Sequence, residues 1–197
     1  MKTNEERLQD LFAYLDRQTH VQPEEIPNID LYMDQVTTYL NDKFANTKRH
    51  EDDKLMTKTM INNYVKSRLL PSPEKKKYTK DHMMVLIMIY FFKNILSIND
   101  VNKLITPLLD SYFHNEEIPL ENIINTFLTF AKQCNLTDTI LTEYNECREI
   151  FKDANVKDKE YLETMGLITM LSYDTFVRKI VIEKLIDSLP DTENTEK

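Results

Sequence analysis

Residues 55–105 run LMTKTMINNYVKSRLLPSPEKKKYTKDHMMVLIMIYFFKNILSINDVNKLI, and this stretch decides the fold to expect. Thr57 suits the N-cap of a helix over about 57–68, because its hydroxyl can accept from an orphan N–H of the first turn. Met60, Ile61, Tyr64 and Val65 make one apolar side at helical spacing. Pro71 and Pro73 stop the helix, since proline lacks an N–H and drives its predecessor out of helical geometry. Leu70 to Tyr78 is then a short, basic, non-helical arm. Thr79 can cap a further helix through Phe92 to about Leu96. Its run of ten apolar residues, Met83 to Phe92, covers the whole circumference, so burial on nearly every side is expected. Ser97 with Asp100 opens the next helix. Ile98, Val101, Leu104, Ile105, Leu108 and Tyr112 form its inner face, and Pro107 is a point of kinking.

Working outward, residues 4–17 form an amphipathic helix with Leu8, Leu11, Phe12 and Leu15 on one stripe. The loop Thr19 to Asn28 holds Pro23 and Pro27. Asp30 suits the N-cap of a helix over about 30–44, with Met33, Val36, Leu40 and Phe44 inward. Residues 45–54 are polar and read as a loop. Pro119 starts a helix to about Cys134, with Ile123, Ile124, Phe127, Leu128 and Ala131 inward. Thr137 to Val156 makes another helix. Lys159 to Leu189 makes one long helix or two, divisible near Gly166 or Ser172. The tail from Pro190 is polar. The fold class expected is all-α, a multi-helix protein with a C-terminal helical unit.

Charge divides the chain where periodicity does not. Residues 1–106 carry 16 Lys and Arg against 15 Asp and Glu, whereas residues 107–197 carry 9 against 18. Lys54, Lys58, Lys66, Arg68, Lys75, Lys76, Lys77 and Lys80 fall within residues 54–80 against Glu74 alone, although the whole chain is −8. A concentrated basic block ahead of an acidic remainder is the charge footprint of a nucleic-acid-binding part with a separate partner region. The expected organisation is an N-terminal helix and linker over 1–29, a DNA-binding domain over 30–106, and an acidic dimerisation or effector region over 107–197.

Gly166 is the sole glycine, which excludes more function classes than any other feature. Phosphate-cradling loops, dinucleotide fingerprints and the serine-hydrolase elbow each need two or more glycines at fixed spacing. Tight hairpins also favour glycine, so little β-structure is expected. Cys134 and Cys147 stand alone and suggest buried free thiols. His20, His50, His82 and His114 occupy no metal-ligand frame, so neither a metal nor a cofactor is expected. A bilayer span needs about 20 apolar residues, far more than the longest run here. The polar segment Met1 to Asp10 does not resemble a signal peptide, and a cytoplasmic location is expected. No catalytic constellation stands out, and an enzyme is not expected.

The order helix, Leu-Leu-Pro turn, basic arm ending in Lys-Tyr, apolar helix, then Ser-Ile-x-Asp-Val resembles the MerR-type winged helix-turn-helix. Tyr64 matches the tyrosine of that motif's recognition helix, and Leu69, Leu70 and Pro71 match the turn. Lys77 and Tyr78 match the end of the wing, Asp81 or His82 the opening of the next helix, and Ile98 and Val101 the later helix start. Arg68 stands where the pattern has glycine, and Asn62 and Asn63 stand where it has arginine. The wing is short, and the loop over about 45–56 is longer than usual. The strings IPNIDLYMDQVTTYL and MTKTMINNYVKSRLLPSPEKKKYTKDH also resemble domain-of-unknown-function family 1836 of low-GC Gram-positive bacteria, over about residues 25–130. That likeness implies a helix-turn-helix-like protein without assigning it a mechanism.

The residues support a DNA interface in their own right. Lys58, Asn62 and Lys66 lie four apart and share one face, flanked by Thr59 and Asn63. Lysine neutralises phosphate, and asparagine can pair bidentately with adenine in the major groove. Lys75, Lys76 and Lys77 on the arm would reach neighbouring backbone, with Arg68, Tyr64 and Tyr78 beside them. If about six basic groups met phosphate, the slope of log affinity against log salt would be roughly −5. The expectation is a transcriptional regulator binding double-stranded DNA as a homodimer, with an unidentified effector or protein partner and no membrane. The dimer is expected because fewer than two layers of helix are available to cover the Met83–Phe92 run, and because helix-turn-helix binding follows two-fold logic. The alternative is an all-helical protein-interaction module that does not bind DNA, which the net −8 favours.

Overall fold

A computed structural model describes residues 4–18, 25–132 and 136–190. Pro23, Cys134 and the tail beyond Pro190 lie outside these residues, as do the side chains of Leu15 and Ala131. The described chain is all-α apart from two short strands. Its order is α1 (Asn4–Gln18), β1 (Leu31–Tyr32), α2 (Met33–Lys43), α3 (Lys58–Lys66), β2 (Lys77–Tyr78), α4 (Lys80–Lys93), α5 (Ile98–Tyr112), α6 (Leu120–Lys132), α7 (Leu136–Ile150) and α8 (Val156–Asp187). None of the described helices is long and apolar enough to cross a membrane.

The chain forms two compact units, one of residues 20–129 with 183–197 and one of residues 1–19 with 130–182. Residues 107–129, from the acidic part of the sequence, therefore cluster with the basic block. In the 20–129 unit, α4 is the centre: Met83, Met84, Val85, Leu86 and Ile89 are fully buried and Ile87 nearly so. Each such side chain contributes about 1.5–3 kcal/mol on burial. The unit covers most of this run, leaving Phe91 38% exposed and Met88 and Phe92 partly so. Phe44 stacks on Tyr90 with ring centroids 3.9 Å apart and meets Phe91 edge-on at 5.6 Å. Val101, Ile105 and Leu109 give α5 its buried face. Pro107 sits inside α5 without ending it.

Several boundaries differ from expectation for physical reasons. α2 begins at Met33 with Tyr32 as N-cap, not at Asp30, because Leu31 and Tyr32 pair antiparallel with Tyr78 and Lys77. The Tyr32 N–H donates to the Gln35 side chain at 2.9 Å, so the cap is made without an Asp. Phe127, expected inward on α6, is exposed, whereas Ile124 is buried. The stretch expected as one helix or two is the single helix α8, and Gly166 does not break it. A Cβ at Gly166 would lie 3.1 Å from both Cys147 Sγ and Phe151 Cε2, so the glycine serves close packing of α8 on α7. In that unit Leu8, Tyr144 and Cys147 are buried, and Cys147 is a free thiol.

His82 joins the strands to the helical core. The Thr79 N–H donates to its Nδ1 at 3.1 Å, and the Thr79 hydroxyl lies 2.8 Å from the same atom, closing a capping box at the start of α4. Its ring meets Tyr78 and Phe113 edge-on. Burial, then the nearby His114, push its pKa down to about 4, against the opposing pull of Asp81, the Pro71 carbonyl and Asp30. Nε2 is buried and makes no hydrogen bond of ordinary geometry. The folded state thus holds His82 neutral where the unfolded chain, titrating near 6.5, takes up a proton. The stability from the neutral ring is complete above about pH 6.5 and is lost as the pH falls toward 4, by about 3 kcal/mol in all. His82→Gln keeps a capping side chain without titrating in this window. Urea unfolding between pH 7 and 4 should show a shallower loss of stability in His82→Gln than in the parent, and equal slopes would refute the assignment.

Candidate nucleic-acid interface

α3 is built as its sequence predicts. Thr57 Oγ1 accepts from the Met60 N–H at 3.1 Å, and Ile61 and Tyr64 are buried. Asn41 on α2 sets its position: Nδ2 donates to the Met56 carbonyl at 2.8 Å, and Oδ1 accepts from the Met56 N–H at 3.4 Å. From α4, Lys93 Nζ donates to the Leu55 carbonyl at 2.6 Å. Two helices thus hold the approach to α3. The face left outward carries Lys58, Thr59, Asn62, Asn63 and Lys66, all exposed. Tyr64 and Tyr78 are buried, and burial raises both phenol pKa values. Their rings pack beneath this surface rather than standing on it.

The end of α3 needs a left-handed residue. Arg68 has φ of 61°, its N–H donates to the Val65 carbonyl at 3.1 Å, and the Leu70 N–H donates to the Tyr64 carbonyl at 3.1 Å. This is a left-handed helix C-cap, a position glycine usually fills. Leu69 and Leu70 then turn into the core, both nearly fully buried.

The arm that follows is a tight hairpin. The Lys77 N–H donates to the Glu74 carbonyl at 2.8 Å, and the same two residues form an antiparallel bridge. Between them Lys75 and Lys76 have φ of 48° and 63°. Positive φ at both central residues marks a type I′ turn, which normally takes Asn-Gly. Two lysines accept the left-handed backbone, so a tight hairpin forms without glycine, while β-structure stays as slight as expected. Both stand exposed at the tip.

The basic block is therefore mostly, but not wholly, free. Among the described residues Lys54, Lys66, Arg68, Lys75 and Lys76 make no ion pair. Lys58 pairs with Asp34 on α2, both well exposed, and such a pair is worth about 0–1 kcal/mol. Lys77 is half-buried, with Nζ 5.9 Å from the Tyr32 ring centroid. Lys80 pairs with Glu121 of α6 at 2.8 Å and is largely withdrawn from solvent. In the loop before α3, the backbone N–H groups of His50 and Arg49 each donate to Asp53 Oδ2 at 3.0 Å. The His50 bond leads in holding that carboxyl below its usual range. Sequence reasoning missed Tyr32 and Asp34, since a two-residue strand leaves no periodic trace.

Residues 21–127 match the family described as Domain of unknown function (DUF1836). The chain belongs to that family. No curated protein and no solved structure matches it. The DUF1836 segment takes in α2 to α5, and so the α3 face and the hairpin together.

Left-handed geometry costs a non-glycine residue about 1–2 kcal/mol. Arg68→Gly should accordingly leave stability equal or raised by up to about 1 kcal/mol once the added chain entropy is counted. The pair Lys75→Asn with Lys76→Gly should raise it by about 1 kcal/mol. Urea unfolding measures both, and a clear loss in either variant would contradict the backbone described.

Proposed function

We propose that this DUF1836 chain is a DNA-binding transcriptional regulator whose α2–α3–hairpin segment works as a MerR-like winged helix-turn-helix. The observation that carries this reading is the exposed face of α3, with Lys58, Asn62 and Lys66, followed directly by Arg68 and by a hairpin whose tip is Lys75 and Lys76. α3 would enter the major groove, where Asn62 or Asn63 can reach an adenine edge, and the hairpin would lie on flanking phosphates. The order of strand, two helices, hairpin and returning strand is the one a winged helix-turn-helix uses. The protein would act in the cytoplasm as a homodimer on a two-fold operator, with the remaining helices serving dimerisation or an effector.

A second reading is a helical interaction module that does not bind DNA. It is favoured by the Asp34–Lys58 pair, which offsets one of the face's charges, and by the net −8.

Fluorescence anisotropy with fragments of the chain's own upstream region, at about 50 and 200 mM salt, separates the two. The DNA reading expects one fragment to bind tightly with a salt slope of roughly −5. Alanine at Lys58, Asn62 and Lys66 together should abolish preference for that fragment. Arg68→Gly and the Asn-Gly hairpin, folded at least as well as the parent, should weaken binding and flatten the slope by about one unit and two units. No binding at the lower salt refutes the regulator reading.

A further inference from the structure

The unit of residues 1–19 and 130–182 contains an open cavity of about 350 Å³ between α1, α7 and α8. Its wall combines apolar surface with several charged side chains. Glu5 comes from α1, Arg148 from α7, and Lys159, Glu160 and Glu163 from α8. Most of these charges are spoken for. Arg148 lies 3.9 Å from Glu5 and 5.7 Å from the Tyr144 ring centroid. Arg7 lies 3.6 Å from Glu160. Lys159 Nζ donates to the Lys152 carbonyl at 3.2 Å. The cavity floor is fixed by Asn4, whose Nδ2 donates to the Glu160 carbonyl at 2.9 Å and whose Oδ1 accepts from Thr164 at 3.1 Å.

Glu163 is the exception. It is 6% exposed, lines the cavity, and has no hydrogen-bond or ion-pair partner among the described residues. Its carboxylate is reached from the open cavity and is available there to a ligand that carries a charged donor. Nearby Tyr144 registers the local field: burial first, then Glu163, raise its phenol pKa, with Glu5 and Glu160 adding to the rise and Arg148 opposing it. Three carboxylates, Glu5, Glu160 and Glu163, thus line the cavity against two cations, Arg148 and Lys159. A metal ion is a poor match, because among the described residues no three His, Cys, Asp or Glu side chains converge as a ligand set.

We propose that this cavity binds a small organic cation through its ammonium group, with Glu163 as the direct partner and Glu160 and Glu5 supplying the surrounding negative field. The volume suits a ligand of few heavy atoms. The site stands independently of any DNA interface, since every residue in it lies outside the 20–129 unit.

The test uses the full chain and 1,4-diaminobutane as the probe, with 1,4-butanediol as the uncharged control, in isothermal titration and thermal unfolding. The diamine should bind and raise the melting temperature, and the diol should do neither. Glu163→Gln removes the charge and keeps the shape. It should remain folded without ligand, which circular dichroism checks. It should bind the diamine at least about tenfold more weakly. Glu146→Gln, outside the cavity, should bind as the parent does. Failure of the diamine to bind at about 10 mM, where even millimolar affinity registers, overturns the proposal. So does equal binding by Glu163→Gln. DNA affinity is read in a separate experiment, and its failure leaves this result standing.

Discussion

The antiparallel pairing of Leu31 with Tyr78 and Tyr32 with Lys77 is the contact on which the arrangement of the DUF1836 segment depends. It is only two residues long on each side, yet it ties the entrance of α2 to the exit of the hairpin. The chain leaving α3 at Lys66 must reverse, form a hairpin and return to Leu31 within about a dozen residues. A reversal that short needs left-handed backbone, and the sequence offers no glycine there. Arg68, Lys75 and Lys76 take the left-handed positions instead. All three are unbranched at Cβ and exposed, so the conformational penalty falls on side chains that no packing constrains. Strain retained at exposed cationic positions, where glycine or asparagine would relieve it, motivates a role for the side chains themselves.

The same pairing delivers the chain to the core. Tyr78 is buried directly before Thr79, and Thr79 with His82 caps α4. The ring that completes the cap also packs against Tyr78 and Phe113, which links the hairpin's return strand to the turn after α5. A neutral His82 is therefore a condition of the strand, the cap and the turn meeting in one place. α4 then shows little amphipathic character, because its own unit packs on most of its sides and leaves Phe91 exposed near its end.

Much of this was legible in the sequence, and the reasons are local. Thr57, Pro71 and Pro73 bracket α3, Thr79 opens α4, and Ser97 with Asp100 opens α5, because caps and prolines act through their immediate neighbours. The outward α3 face follows from spacing alone. What was not legible depends on contacts distant in sequence. β1 exists only because Lys77 and Tyr78 come to it, so an Asp30 cap looked better than a Tyr32 cap. The hairpin turn was hidden because its residues are lysines. Gly166 looked like a helix breaker, and only the approach of Cys147 and Phe151 gives it a reason. Tyr64 and Tyr78 fitted both apolar packing and a surface contact, because a tyrosine on an amphipathic helix or arm does not declare which way its ring turns.

The overall charge of −8 and a DNA-binding role are compatible on electrostatic grounds. At physiological salt the field of exposed charges decays over about 8 Å. A phosphate near α3 or the hairpin therefore responds mainly to the charges within that distance, Lys66, Arg68, Lys75 and Lys76 among them. A net negative charge opposes non-specific association with a polyanion, while the local basic surface sets the attractive term. Asp34 tempers that term at Lys58, and an exposed ion pair of this kind exchanges readily for a phosphate. Under the proposed function the acidic composition would thus narrow where the protein engages DNA without preventing it from doing so.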